Sequence, residues 1–281
     1  MPSRHLALIG LTALALACSR PAAPAGARVI VDSALPAGPL ADAVSRGRAL
    51  VLATRDSLPH NVGNKLRCVS CHLDGGRREV GTWVGSYGRF PTYRPRSATV
   101  ETIEYRVNDC FKRSMNGAAL AVDGPDMRDI VTYLWYLSRG VPVHEPAAGT
   151  PPQRRFLSLT ADTAAGAQIF VATCAKCHAP DGQGTAVGPP LWGPGSYNVG
   201  AGMSRVSTAA NFIRANMPFD QPGTLTDQQA LDVAAYVNAH PRPDFAAKQF
   251  DWPHGDAPPD AAYPTLAARH RADSLAHPAK Q

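Results

Sequence analysis

Two tandem units of a mostly α fold are predicted by three observations. The string Cys68-Val69-Ser70-Cys71-His72 recurs as Cys174-Ala175-Lys176-Cys177-His178, 106 positions further along a chain of 281 residues. Ahead of each lies a similar helix start, Gly47-Arg48-Ala49-Leu50-Val51 and Gly166-Ala167-Gln168-Ile169-Phe170. Behind each lies a helix of one signature, Asp129-Ile130-Val131-Thr132-Tyr133-Leu134 and Asp232-Val233-Ala234-Ala235-Tyr236-Val237, apolar at helical spacing. A repeat of this period in a chain of two-domain length points to a duplicated unit.

The two Cys-x-x-Cys-His strings carry the chemistry. A disulfide framework does not suit six cysteines of which four fall into two identical short pairs, each followed by histidine. Zinc or thiol redox chemistry would leave both histidines unexplained. Covalent haem c uses all three residues: two thiols add across the vinyl groups and the adjacent imidazole reaches the iron. The expected fold is therefore two class I cytochrome c-like domains, each wrapping one covalent haem c. Cys68, Cys71, Cys174 and Cys177 are the attachment residues and His72 and His178 the proximal ligands.

From the amino terminus onward, Arg4 and His5 precede a short apolar run, Leu6 to Ala17. It is too short to span a bilayer and has the length of a signal-peptide core, so residues 1–17 are read as an export signal into the periplasm. Cys18 then stands in a lipobox-like run and is a candidate lipid anchor; cleavage after Ala17 without lipidation is the alternative. Residues 18–39, rich in Pro and Ala, read as a tether. The first haem c unit is placed at 40–145, a linker at 146–157, the second unit at 158–245 and an irregular, proline-rich tail at 246–281.

Each iron accepts a second axial ligand, and the two halves diverge there. In the second unit Asn216-Met217-Pro218 precedes the last helix, which makes Met217 the expected ligand and Met203 the reserve. The run Gly188-Pro189-Pro190-Leu191 offers a proline carbonyl to the proximal His178 N–H, a contact that orients the ring. In the first unit the nearly equivalent position holds Cys110. Met115 is its rival for the iron, and a buried free thiol is the plainer alternative.

A helix is predicted over Val100 to Arg113, with Thr99 as N-cap and Glu101 in its first turn. Arg106, Cys110 and Ser114 then follow one another along one face. Arg94 and Arg96 flank Pro95 upstream. A cation one turn from a thiol favours the thiolate, and converging guanidiniums bind small dianions. Arg96 and Arg106 are assigned to such an anion site, whereas Lys112 and Arg113 are expected to meet haem propionates or solvent.

From Phe90-Pro91-Thr92-Tyr93 to Arg96, and again from Arg106 through Cys110 to Gly117, followed by the second haem string and Asn216-Met217-Pro218, the chain resembles the dihaem thiosulfate dehydrogenases. The resemblance spans about residues 40 to 245. It implies a periplasmic enzyme that joins two thiosulfates into tetrathionate, with His/Cys ligation at the first haem and His/Met at the second. Arg96, Arg106, Cys110 and Ser114 would be its active-site residues, and electrons would pass to an external partner such as a small c-type cytochrome. Some members carry a lysine beside the second-haem methionine; here Asn216 takes that place, which argues against a ligand switch.

Two other functions fit a dihaem chain. A plain electron carrier would use Met115 as ligand and have no need of Arg96 and Arg106. A cytochrome subunit of a larger sulfur-oxidising complex would share the Cys-ligated haem. The net charge of +6 does not separate them, because about four propionates would offset most of it, and no feature suggests nucleic acid. His60, His144, His240, His254, His270 and His277 are read as surface residues, with His60 a remote candidate for iron.

Overall fold

The computed structural model describes residues 37–144 and 153–276. The segment read as a signal, Cys18, most of the tether, the first part of the linker and the last five residues, His277 among them, lie outside that range. The fold is mostly helical. The principal helices are α1 (Pro39–Leu52), α2 (Ile103–Arg113), α3 (Pro125–Ser138), α4 (Thr163–Ile169), α5 (Val206–Asn216), α6 (Asp227–Ala239) and α7 (Leu266–Ala276). One antiparallel hairpin, β1 (Thr92–Arg94) with β2 (Thr99–Glu101), is the only sheet among the described residues.

The repeat visible in the sequence is a repeat of contacts. In the first half α1 crosses α3 where Gly47 faces Asp129: a Cβ on Gly47 would lie 1.9 Å from the Asp129 carbonyl oxygen. In the second half α4 crosses α6 where Gly166 faces Asp232, and a Cβ would lie 2.1 Å from that carbonyl. Glycine is required at both positions because no side chain fits between the backbones. Gly47 thus lies inside α1, which begins eight residues earlier at Pro39, a residue suited to the first helical turn.

A second set of matched contacts surrounds each motif. Trp83 lies against Gly76 and meets Tyr133 edge-on at 6.4 Å; Trp192 lies against Gly182 and meets Tyr236 edge-on at 6.0 Å. Such edge-to-face pairs fix ring orientation beyond what area burial does. The halves differ in local helix type. Cys68–Ser70 is a 3-10 turn, while Phe170–Cys174 is a π-helical turn entering Ala175–His178.

Local sequence explains the helix starts. Asp162 caps α4 by accepting from Ala164 N (2.8 Å) and Ala165 N (3.0 Å). Thr226 and Gln229 form a capping box on α6, with reciprocal bonds of 3.2 and 2.9 Å. The helix expected from Val100 begins instead at Ile103, with Thr102 at the N-cap. Pro95 sets a turn in which Ser97 N donates to Arg94 O and Ala98 N to Pro95 O. The next residues, Thr99 to Glu101, are extended, and their pairing with β1 outweighs their place in a helical pattern.

The halves share one core. Tyr197 and Ala201 of the second half are buried with Phe111, Met115 and Tyr133 of the first. Polar bonds line the seam: Lys65 N donates to Gly195 O (2.9 Å), Asn64 Nδ2 to Ser196 O (2.9 Å) and Asn198 Nδ2 to Lys112 O (2.9 Å). Burying each such polar group is offset by its bond.

The tail expected to be irregular contains α7 and folds back onto the first half. No proline falls between Pro264 and Pro278, and the Ala- and Leu-rich stretch after Pro264 is a good helix former. Trp252 N donates to Arg96 O (2.8 Å), and the Asp251 carboxylate accepts two bonds from Arg113, at 2.7 and 2.8 Å. His240, expected at the surface, stacks on Trp192 at 3.9 Å and hydrogen-bonds through Nδ1 with the Tyr236 carbonyl (2.8 Å). His60, His144, His254 and His270 are exposed.

Candidate active site

A cavity of about 400 Å³ lies in the first half. Cys68, Cys71 and His72 line it together with Cys110, Ser114 and Met115 from α2 and the turn after it. Val51, Leu66, Ile130 and Leu134 supply apolar wall. His72 Nδ1 lies 2.6 Å from Gly81 O; since a carbonyl only accepts, Nδ1 carries the proton and Nε2 is left for a ligand role. The ring stacks on Trp83 at 4.5 Å. Burial pushes His72 down to about 4, which keeps it in the neutral form that binds iron.

These residues fit a covalent haem. Burial pushes Cys68 and Cys71 up to about 12, an environment that prefers uncharged sulfur, and a thioether satisfies that preference. Arg89 Nε and Ser86 Oγ line the cavity buried and without a partner; a propionate carboxylate would satisfy both. A bare metal ion has no equivalent provision. Among the described residues no group of three or more His, Cys, Asp or Glu side chains could hold one. The five described cysteines are all free of disulfides.

Cys110 Sγ accepts from Arg106 Nη1 at 3.0 Å, the i to i+4 relation expected on this face. The Arg106 pKa is raised, chiefly by Cys110 against the opposing effect of burial, so the cation is held in place by the sulfur it faces. Met115 is also buried against the cavity, so position alone does not remove it as a rival.

A second cavity of about 370 Å³ adjoins the first. Arg94, Arg106 and Ser114 line both. Arg96, Arg113, Arg205 and Trp252 line only the second. Arg96 gives Nη1 to Gly200 O (2.8 Å) and stacks on Trp252 at 4.6 Å. Arg113, expected to meet propionates or solvent, is instead consumed by structure: Asp109 and Asp251 take its donors and Phe245 lies under its plane. Lys112 is exposed as expected.

In the second half His178 Nδ1 bonds with Pro189 O at 2.8 Å, the contact read from the Gly188-Pro189-Pro190 run. Burial lowers His178 and pushes Cys174 up to about 11. Met217 follows α5, half-buried, its N–H donating to Ile213 O (2.9 Å); it lines neither cavity. Met203 packs against the shared core. Asn216 is buried and donates to Val80 O across the seam (3.4 Å).

Sequence reasoning missed Arg89, Arg205 and the paired tryptophans. The tryptophans had a signal, since each follows its motif by a similar interval, at Trp83 and Trp192. The arginines had none, because nothing local marks them as cavity residues.

The helix crossings, the two Cys-x-x-Cys-His motifs and the cysteine-lined cavity are those of a c-type cytochrome. Residues 60–143 match the family described as "SoxA/TsdA, cytochrome c domain", and residues 161–237 match "Cytochrome C oxidase, cbb3-type, subunit III". The chain is 44% identical over 223 residues to a thiosulfate dehydrogenase of Allochromatium vinosum, covering 75% of this chain and 82% of that one. It is 40% identical over 236 residues to one of Psychrobacter arcticus, covering 82% and 72%. The solved thiosulfate dehydrogenase of Marichromatium purpuratum superposes with a TM-score of 0.72 at 36% identity, over 82% of this chain but only 53% of that longer one. This chain belongs to the thiosulfate dehydrogenase family.

Proposed function

We propose that the protein joins two thiosulfate dianions into one tetrathionate and delivers two electrons to a c-type cytochrome. The observation that carries this reading is the shared wall of the two cavities, where Arg94, Arg106 and Ser114 stand beside Cys110. Family membership supports it, and a plain electron carrier has no use for that arginine cluster.

Two covalent haems c would be held by Cys68, Cys71 and His72 and by Cys174, Cys177 and His178, one in each tandem domain, with Cys110 free to leave the first iron when substrate binds and Met217 the further ligand of the second. When bound, haem c takes up and passes on single electrons, and a His/Met pair raises the potential of the outgoing centre.

The chain's own residues bind and orient. Arg96, Arg106 and Ser114 hold a thiosulfate sulfonate by charge-assisted hydrogen bonds, with its outer sulfur toward Cys110. As two electrons depart to the cytochrome acceptor, a bond forms between Cys110 Sγ and that sulfur. The outer sulfur of a second thiosulfate attacks the bound sulfur, forming the new S–S bond of tetrathionate as the bond to Sγ breaks. Cys110 leaves as the thiolate, stabilised by Arg106. The sum is two thiosulfates to one tetrathionate and two electrons. The same steps run backward reduce tetrathionate.

Among the described residues no helix is long and apolar enough to cross a membrane. Export to the periplasm, and a lipid anchor at Cys18, rest on the amino-terminal sequence. The test is a two-way assay of purified protein, with thiosulfate plus oxidised cytochrome c and with tetrathionate plus a reduced donor. Turnover in at least one direction is expected, together with a denatured mass that carries two haems. No turnover in either direction from a dihaem protein would leave the electron-carrier reading.

A further inference from the structure

The outer cavity is nearly as large as the one beside it, and far larger than one small tetrahedral anion needs. Coupling two dianions in one chamber brings like charges together, so each requires its own cation. The lining arginines divide accordingly. Arg94 and Arg106 border both cavities, and Arg205, like Arg96 and Arg113, borders only the outer one.

Arg205 is an outer cation that keeps donors and has no part in the first anion's site. Arg113 has given its guanidinium to Asp109 and Asp251, and Arg96, which gives one donor to Gly200 O, is already assigned to the first thiosulfate. Arg205 comes from the second half, at the residue before α5, and is held along one edge. Its Nε and Nη2 lie 2.9 and 2.8 Å from Asp260 Oδ1. Asp260 is itself fixed by the Ser207 N–H (3.0 Å) and the Ser207 hydroxyl. A guanidinium anchored on one edge keeps N–H donors on the other and loses little freedom on binding.

We propose that Arg205 binds the second thiosulfate, and hence the far sulfonate of tetrathionate, while Arg96, Arg106 and Ser114 serve the first, with Arg94 beside them. This assignment rests on the thiosulfate reading above. The two sulfonates then sit on separate cations with their outer sulfurs free to meet. Asp256 lines the same outer wall and tempers its positive charge, so the product, which carries one charge per sulfonate, is not trapped.

The test uses the full-length dihaem protein as wild type, Arg205→Gln and Arg205→Lys. Gln keeps a donor toward Asp260 and removes the charge; Lys restores the charge. Arg205→Gln should raise the half-saturating concentrations of both thiosulfate and tetrathionate by about 10- to 100-fold, the loss of one charge-assisted contact. Its kcat at saturation should stay within about twofold of wild type, since uniform binding is what is lost. Arg205→Lys should recover part of the effect. Unchanged half-saturation in Arg205→Gln overturns the assignment, as does a fall in kcat alone or a Lys variant no better than Gln. A wild-type protein that turns over neither anion would sink the functional reading instead, and would be seen before any variant was made.

Discussion

The two halves of the molecule are built on one frame and finished differently. Gly47 against Asp129 and Gly166 against Asp232 make the same helix crossing, and Trp83 with Tyr133 matches Trp192 with Tyr236. The halves part beyond the Cys-x-x-Cys-His motif. In the first half a hairpin and α2 bring Arg94, Arg96, Arg106 and Cys110 to one region. In the second half α5 runs from Val206 to Asn216 and presents Met217 at its end. The frame positions His72 and His178 alike, and under the proposed function the segment that follows decides whether the centre meets a substrate.

The largest expected break in that division comes from Asp251. It is buried, joins the tail to Arg113 and Arg96, and accepts from the Tyr263 hydroxyl. Asp251→Ala leaves the Arg113 guanidinium partly unpaired in a buried seam and should cost about 3–5 kcal/mol. Thermal unfolding checks this: a clear fall in Tm is expected, and an unchanged Tm would show that the tail contributes nothing to the first half.

Next in size is Arg106. Arg106→Ala removes a charge-assisted donor worth about 1.5–3 kcal/mol and should lower thiosulfate kcat/KM by one to two orders of magnitude. Both haems should stay attached, because no attachment residue is altered. Steady-state kinetics and denatured mass decide it together.

The smallest effect tests the sameness of the halves. Gly47→Ala and Gly166→Ala each force a Cβ into a backbone carbonyl, and overpacking of this kind costs about 1–3 kcal/mol. Denaturant melts should show similar losses for the two variants. A large loss in one and none in the other would mean that the crossings are not equivalent.

The frame was legible in the sequence because its parts are local: a glycine in a helix, a Cys-x-x-Cys-His turn, and a helix with Tyr133 or Tyr236 four residues after an aspartate. The placing of Cys110 beside Arg106 was legible for the same reason, through their i to i+4 relation on one helical face. The hairpin was not, since two three-residue strands leave too short an alternation to outweigh the helical pattern of the residues after them. The closing of the site by the tail was not either. The Arg113 to Asp251 pair joins residues 138 apart, and Arg205 reaches the same cavity from the other half. Such contacts depend on how the halves pack, which no local signal encodes.

The central claim is that Cys110 makes the first half a catalyst while the second half carries electrons. Purified Cys110→Gly, assayed for reduction of oxidised cytochrome c by thiosulfate beside wild type, tests it most directly. The account predicts two haems by mass, an altered spectrum for the first, and thiosulfate oxidation reduced to background. Wild-type turnover in Cys110→Gly would contradict it, and would show Cys110 to be a structural thiol beside a site whose chemistry lies elsewhere.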